Sequence, residues 1–173
     1  MFYRILVAVN NSPISEKVFE EALFMAKSTG AHLMLLNVLS PFDVSYLNST
    51  KTCSDNLYPV NMHNIDYYIR AWESLTEKGL NYLYQLCQKA TELGISVEVA
   101  QNLGDPGKTI CEIAYSWDAD LILVGRSDSC KFNLGSTSNY VLCNASCSVL
   151  IVQGETPKLK PTSQFAINQL LST

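Results

Sequence analysis

Histidine is scarce in this sequence: His32 and His63 are the only two in 173 residues. The six cysteines (Cys53, Cys87, Cys111, Cys130, Cys143 and Cys147) contain no C-x-x-C pair. Zinc-ligand spacing is therefore missing, and free, buried thiols are expected. Only Lys131 stands beside Cys130 to create the positive field that activates a thiolate. Charge is also sparse, at 16% of residues, with 12 Lys and Arg against 16 Asp and Glu and a net charge of -4. No basic stripe stands out, which excludes the electrostatic footprint of a nucleic-acid binder. No run reaches the roughly 18 apolar residues of a membrane-spanning helix. The apolar run Ile5 to Val9 is shorter than the roughly 7–15 residues of a secretory h-region. These absences predict a cytoplasmic protein with neither nucleic acid nor membrane as partner.

What is present is an ample apolar supply, 47% of residues, in a chain near the size at which one hydrophobic core closes. One domain over residues 1–152 is expected, with residues 153–173 as a tail carrying Pro157 and Pro161. Strand and helix signals alternate throughout, the pattern of an α/β parallel sheet with crossover helices on both faces. Tyr3 to Val9 reads as a strand. Ser12-Pro13 reads as an N-cap with proline at the first helical position, opening a helix that Gly30 closes. His32 to Val38 reads as the second strand. Residues 40–62, rich in Ser, Thr, Asn and Asp, read as a long polar loop.

From Ile65, the positions Ile69, Trp72, Leu75, Gly79, Leu83, Leu86, Ala90 and Leu93 fall on one helical stripe ended by Gly94. Tyr67, Tyr68, Tyr82 and Tyr84 flank that stripe as core-type aromatics rather than a cofactor box. Ile95 to Ala100 alternates as a third strand. Gly104-Asp-Pro106 reads as a turn, and Thr109 to Trp117 as a helix. Leu121 to Val124 is apolar on both faces, as a central strand requires, with Gly125 ending it. Ser136 to Cys143 reads as a short helix, and Ser148 to Val152 as the last strand.

In an open parallel sheet, ligands sit at the carboxyl ends of the strands where strand order reverses. That directs attention to Asn10, Val38, Gly104 and Gly125. The stretch Gly125-Arg-Ser-Asp-Ser-Cys-Lys-Phe-Asn-Leu-Gly135-Ser-Thr leads from a strand into a helix N-terminus and suits a phosphate. Free N–H groups of Ser136 and Thr137, their hydroxyls and the helix dipole all favour an anion there. Gly107-Lys108-Thr109 resembles the end of a phosphate-binding P-loop. Its required first glycine is Asn102, however, and Pro106 removes a donor from the cradle.

Five segments in order, Ile5 to Ser12, Leu35 to Val38, Gly104 to Pro106, Ala119 to Gly125 and Gly135 to Leu142, resemble the universal stress protein family. The resemblance implies an adenine nucleotide alpha hydrolase-like sheet in order 3-2-1-4-5. It further implies homodimerisation through the fifth strand (Val149, Leu150, Ile151, Val152) and, in one subclass, binding of ATP or AMP. That subclass reads G-x2-G-x9-G-[ST]; here Gly125, Gly135 and Ser136 match, while Asp128 replaces the middle glycine and the following spacer is shorter. Asn10 stands where the subclass has an aspartate holding the nucleoside, and Val38 where a backbone group meets adenine.

The expected nucleotide site is Asn10, Val38, Gly125, Arg126, Gly135, Ser136 and Thr137. Magnesium is held by Asp128 if a triphosphate binds there, since a bare carboxylate repels phosphate. The alternative is a nucleotide-free dimeric stress protein acting through protein contacts. Catalysis has little support: Asp128 is the sole general base in the loop, so slow ATP hydrolysis is the most that the sequence allows.

Overall fold

The computed structural model describes residues 1–40, 65–126 and 135–154, with side chains from residue 69 onward in the second helix. In chain order these are β1 (Arg4–Ala8), α1 (Pro13–Thr29), β2 (His32–Leu39), α2 (Ile65–Glu92), β3 (Val97–Leu103), α3 (Pro106–Ser116), β4 (Leu121–Arg126), α4 (Ser136–Asn144) and β5 (Ser148–Gln153). The strands form one parallel sheet in the order β3-β2-β1-β4-β5. Val7 lies at its middle, paired with Leu35 on one side and Leu123 on the other.

Successive strand residues face opposite sides, so a strand covered on both faces is apolar at every position. Ile5, Val7, Leu33, Leu35 and Leu123 pack on one face against Val18, Phe19 and Ala22 of α1 and Leu83, Leu86 and Ala90 of α2. Leu6, Leu36, Ile122 and Val124 pack on the other face against Ile110 and Ala114 of α3 and Val141 of α4. Each large side chain buried here stabilises the fold by about 1.5–3 kcal/mol relative to exposure.

Several boundaries differ from the pattern reading. α3 begins at Pro106, because Asp105 caps it: its carboxylate accepts the backbone N–H of Lys108 at 2.9 Å, and proline sits at the first helical position. Gly104-Asp-Pro106 is thus a helix start. β3 begins at Val97, because the N–H of Ile95 closes α2 by donating to the carbonyl of Ala90. Pairing with β2 carries it through the polar Gln101-Asn102 to Leu103. Gly125 does not end β4, for Gly125 and Arg126 pair with Val152 and Gln153.

The α2 stripe is buried only at Gly79, Leu83, Leu86 and Ala90, whereas Ile69 and Leu93 are exposed. A 28-residue helix spans about 42 Å, longer than the roughly 25 Å of the strands beneath it. The described thiols are less buried than expected. Cys87, Cys111 and Cys147 are half-buried, and Cys143 is exposed on α4. Partial burial pushes the Cys111 and Cys147 thiols above the ordinary range. Cys53 and Cys130 lie outside the described residues.

At the amino end of the sheet, Asp120 Oδ2 accepts the N–H groups of Tyr3 (2.8 Å) and Arg4 (2.9 Å). Those bonds hold its carboxyl below the ordinary value. No helix among the described residues is long and apolar enough to cross a membrane.

Candidate functional site

At the carboxyl ends of β1, β2 and β4 lies a cavity of about 480 Å³. Its apolar wall comes from Ala8, Leu36, Val38, Ile110 and Val124, and its polar rim from Asn10, Ser12, Gly135, Ser136, Thr137 and Ser138. Six of the seven residues singled out from the sequence border it: Asn10, Val38, Gly125, Gly135, Ser136 and Thr137. Arg126, the last residue of β4, is not among the described residues that line it. Asp128 and Lys131, the polar 40–62 loop beyond Ser40, and the tail from residue 155 lie outside the described residues.

Asn10 is committed to the turn that starts α1. Its Oδ1 accepts the backbone N–H of Ser12 (3.2 Å) and the hydroxyls of Ser12 and Ser15. Its own N–H donates to Ser15 Oγ at 2.9 Å. The Ser12 side chain therefore serves Asn10 instead of capping α1 directly. With Oδ1 taken three times, Nδ2 is the end of the amide left for a ligand, so the position presents a donor where a carboxylate would present an acceptor.

The two loop glycines have different reasons to be glycine. A Cβ on Gly125 would meet Ile14 Cγ1 at 2.9 Å and Val18 Cγ2 at 3.1 Å, so this glycine lets α1 lie close on β4. Gly135 has ordinary helix-start angles (φ -61, ψ 158), and among the described residues nothing stands within 4 Å of a Cβ placed there. Neither its backbone nor, among the described residues, its packing asks for glycine at 135; close approach of an anion to the α4 N-terminus would.

Pattern reading missed Ser15 and Ser138, both buried at 2% and 3% exposure. Ser15 organises Asn10, and Ser138 Oγ donates to the carbonyl of Gly125 at 2.9 Å, fastening α4 to the end of β4. Serines inside helices look like solvent-facing residues in sequence, so only their burial marks them. Gly107-Lys108-Thr109 forms no phosphate cradle. Gly107 is packed against Tyr140, the N–H of Lys108 is occupied by Asp105, and its ammonium reaches Glu112 at 3.7 Å on the surface.

The model of the universal stress protein family matches residues 1–52 and 55–153 of this chain. The chain belongs to the universal stress protein family. It is 30% identical over 158 residues to universal stress protein Sll1388 of Synechocystis, covering 87% of this chain and 97% of that protein. Among solved structures, it superimposes on the protein MJ0577 with a TM-score of 0.72 at 18% identity, over 90% of this chain and 99% of that one. It also superimposes on a universal stress protein family protein from Arabidopsis thaliana, solved with AMP bound, with a TM-score of 0.60 at 22% identity over 89% and 93% of the two chains. A universal stress protein solved in complex with cAMP aligns with a TM-score of 0.57 at 20% identity, over 88% of this chain and 97% of that one. The sheet order is that of the adenine nucleotide alpha hydrolase-like fold shared by universal stress proteins.

Proposed function

We propose that this universal stress protein binds an adenine nucleotide, AMP or ATP, in the cavity at the ends of β1, β2 and β4. The observation that carries the reading is the joining of two unlike surfaces in one cavity. An apolar wall of Leu36, Val38 and Ile110 stands next to the α4 N-terminus at Gly135, Ser136 and Thr137. A flat base suits the first and a phosphate the second. The AMP and cAMP complexes of the structural relatives support the same chemistry.

The described lining contains no carboxylate, imidazole or amine to act as a general base. Magnesium enters the reading only through Asp128 and a triphosphate. The β5 segment Val149 to Val152, at the sheet edge, is the proposed homodimer contact, and the cytoplasm the proposed location.

The test is to release and weigh any small molecule carried by natively purified protein, then titrate the emptied protein with AMP, ATP and cAMP. A stoichiometric adenine nucleotide or a saturable titration is expected. Gly135→Ala should leave stability within about 0.5 kcal/mol yet weaken AMP about tenfold, the scale of one hydrogen bond to a charged group. No nucleotide recovered and no titration signal would replace this reading with that of a nucleotide-free module working through its surface.

A further inference from the structure

Asn37 is a buried amide in a strand that is otherwise apolar after His32, flanked by Leu36 and Val38, which line the cavity. By strand alternation its own side chain faces the opposite layer, where α1 and α2 pack. Both ends of that amide are occupied. Nδ2 donates to the carbonyl of Val9 at 2.9 Å, and Oδ1 accepts from Gln101 Nε2 at 3.1 Å. Gln101, its register partner on β3, also donates from Nε2 to the carbonyl of Thr76 in α2 at 3.2 Å. Gly79, one turn further along α2, leaves the room: a Cβ there would come closer than 3.0 Å to both Gln101 Nε2 and Asn37 Oδ1. A leucine at 37 would satisfy packing alone, so the amide signals a directional job. Val9 is where β1 leaves the sheet: its N–H makes one more bond to Leu36, and the next residue is Asn10 on the cavity rim.

We infer that Asn37 and Gln101 are positioning residues for the cavity, joining α2 on the far face of the sheet to the Val9–Asn10 end of β1. A shift of α2 along its axis then moves the Val9 carbonyl and the peptide that presents Asn10, so ligand affinity is set partly from the face the ligand does not touch. This rests on the nucleotide reading for its ligand, but the link itself has a ligand-free readout.

Gln101→Met keeps an unbranched chain while breaking the bonds to Asn37 and Thr76; Asn37→Leu removes the bond to Val9. In the full-length protein, Gln101→Met should move the backbone amide resonance of Asn10 without ligand. It should also weaken AMP about fivefold, the scale of one net hydrogen bond, with the melting transition still cooperative. In the unsubstituted protein, saturating AMP should shift the Gln101 side-chain amide resonance although Gln101 does not line the cavity. An unmoved Asn10 resonance in Gln101→Met overturns the link whether or not nucleotide binds. Unchanged AMP affinity in both variants, with the unsubstituted protein binding AMP, overturns its role in the site. If the unsubstituted protein binds no nucleotide, the nucleotide reading fails and the Asn10 resonance alone decides the link.

Discussion

At the scale of single residues, Gly125 and Gly135 close the ends of one sequence stretch yet answer to different constraints. Gly125→Ala would press a methyl group onto Ile14 and Val18. Overpacking of this kind costs about 1–3 kcal/mol, read as a lower urea midpoint with an unchanged slope. Because Ile14 lines the cavity, ligand affinity should fall with it. Asp120 carries the clearest pH signature. Its carboxyl is held below the ordinary value by the N–H groups of Tyr3 and Arg4. A depressed carboxyl stabilises the fold at pH above its unfolded value and loses that contribution as pH falls through its folded value. Asp120→Asn should therefore be less stable than the parent at pH 7, with the difference shrinking as acid is added. Urea midpoints across that range check it, and a difference that grows toward acid would contradict the assignment.

At the scale of elements, helix starts show how far local chemistry reaches. Ser12-Pro13 and Asp105-Pro106 carry the same signature, a capping residue followed by proline, and both open helices. They use it differently. Asp105 takes the Lys108 N–H, whereas Ser12 gives its hydroxyl to Asn10. Asp105→Ala should cost about 1 kcal/mol, measured by chemical denaturation. The α2 stripe was legible as a stripe, but its ends were not legible as exposed. Helical period says which residues share a face, and the length of sheet beneath says how many of them are covered.

At the scale of the whole molecule, the sheet leaves β5 at one edge, paired with β4 alone among the described strands. Leu150 is 37% exposed there. An apolar edge strand invites pairing with another copy, so light scattering at micromolar concentration should return twice the chain mass. Leu150→Lys, which places a charge on that edge, should return the monomer mass with the fold intact. A monomeric parent would remove the dimer from the proposal.

Local sequence determined which strands and helices form, because period, proline and glycine placement act within a few residues, whereas what the side chains of Ser12 and Asp105 bond was read only from the structure. It also marked Asn10, Val38 and the Gly135 helix start, since strand ends and helix starts are visible in one dimension. Strand order is not: periodicity carries no information about neighbours, and only the family resemblance anticipated it. Tertiary structure alone decided that Gly125 serves packing, that Ser15 and Ser138 are buried, and that Asn37 bonds Val9 and Gln101. Each of these depends on which segments the sheet brings side by side, and Asn37 and Gln101 are 64 residues apart in sequence and register partners in space.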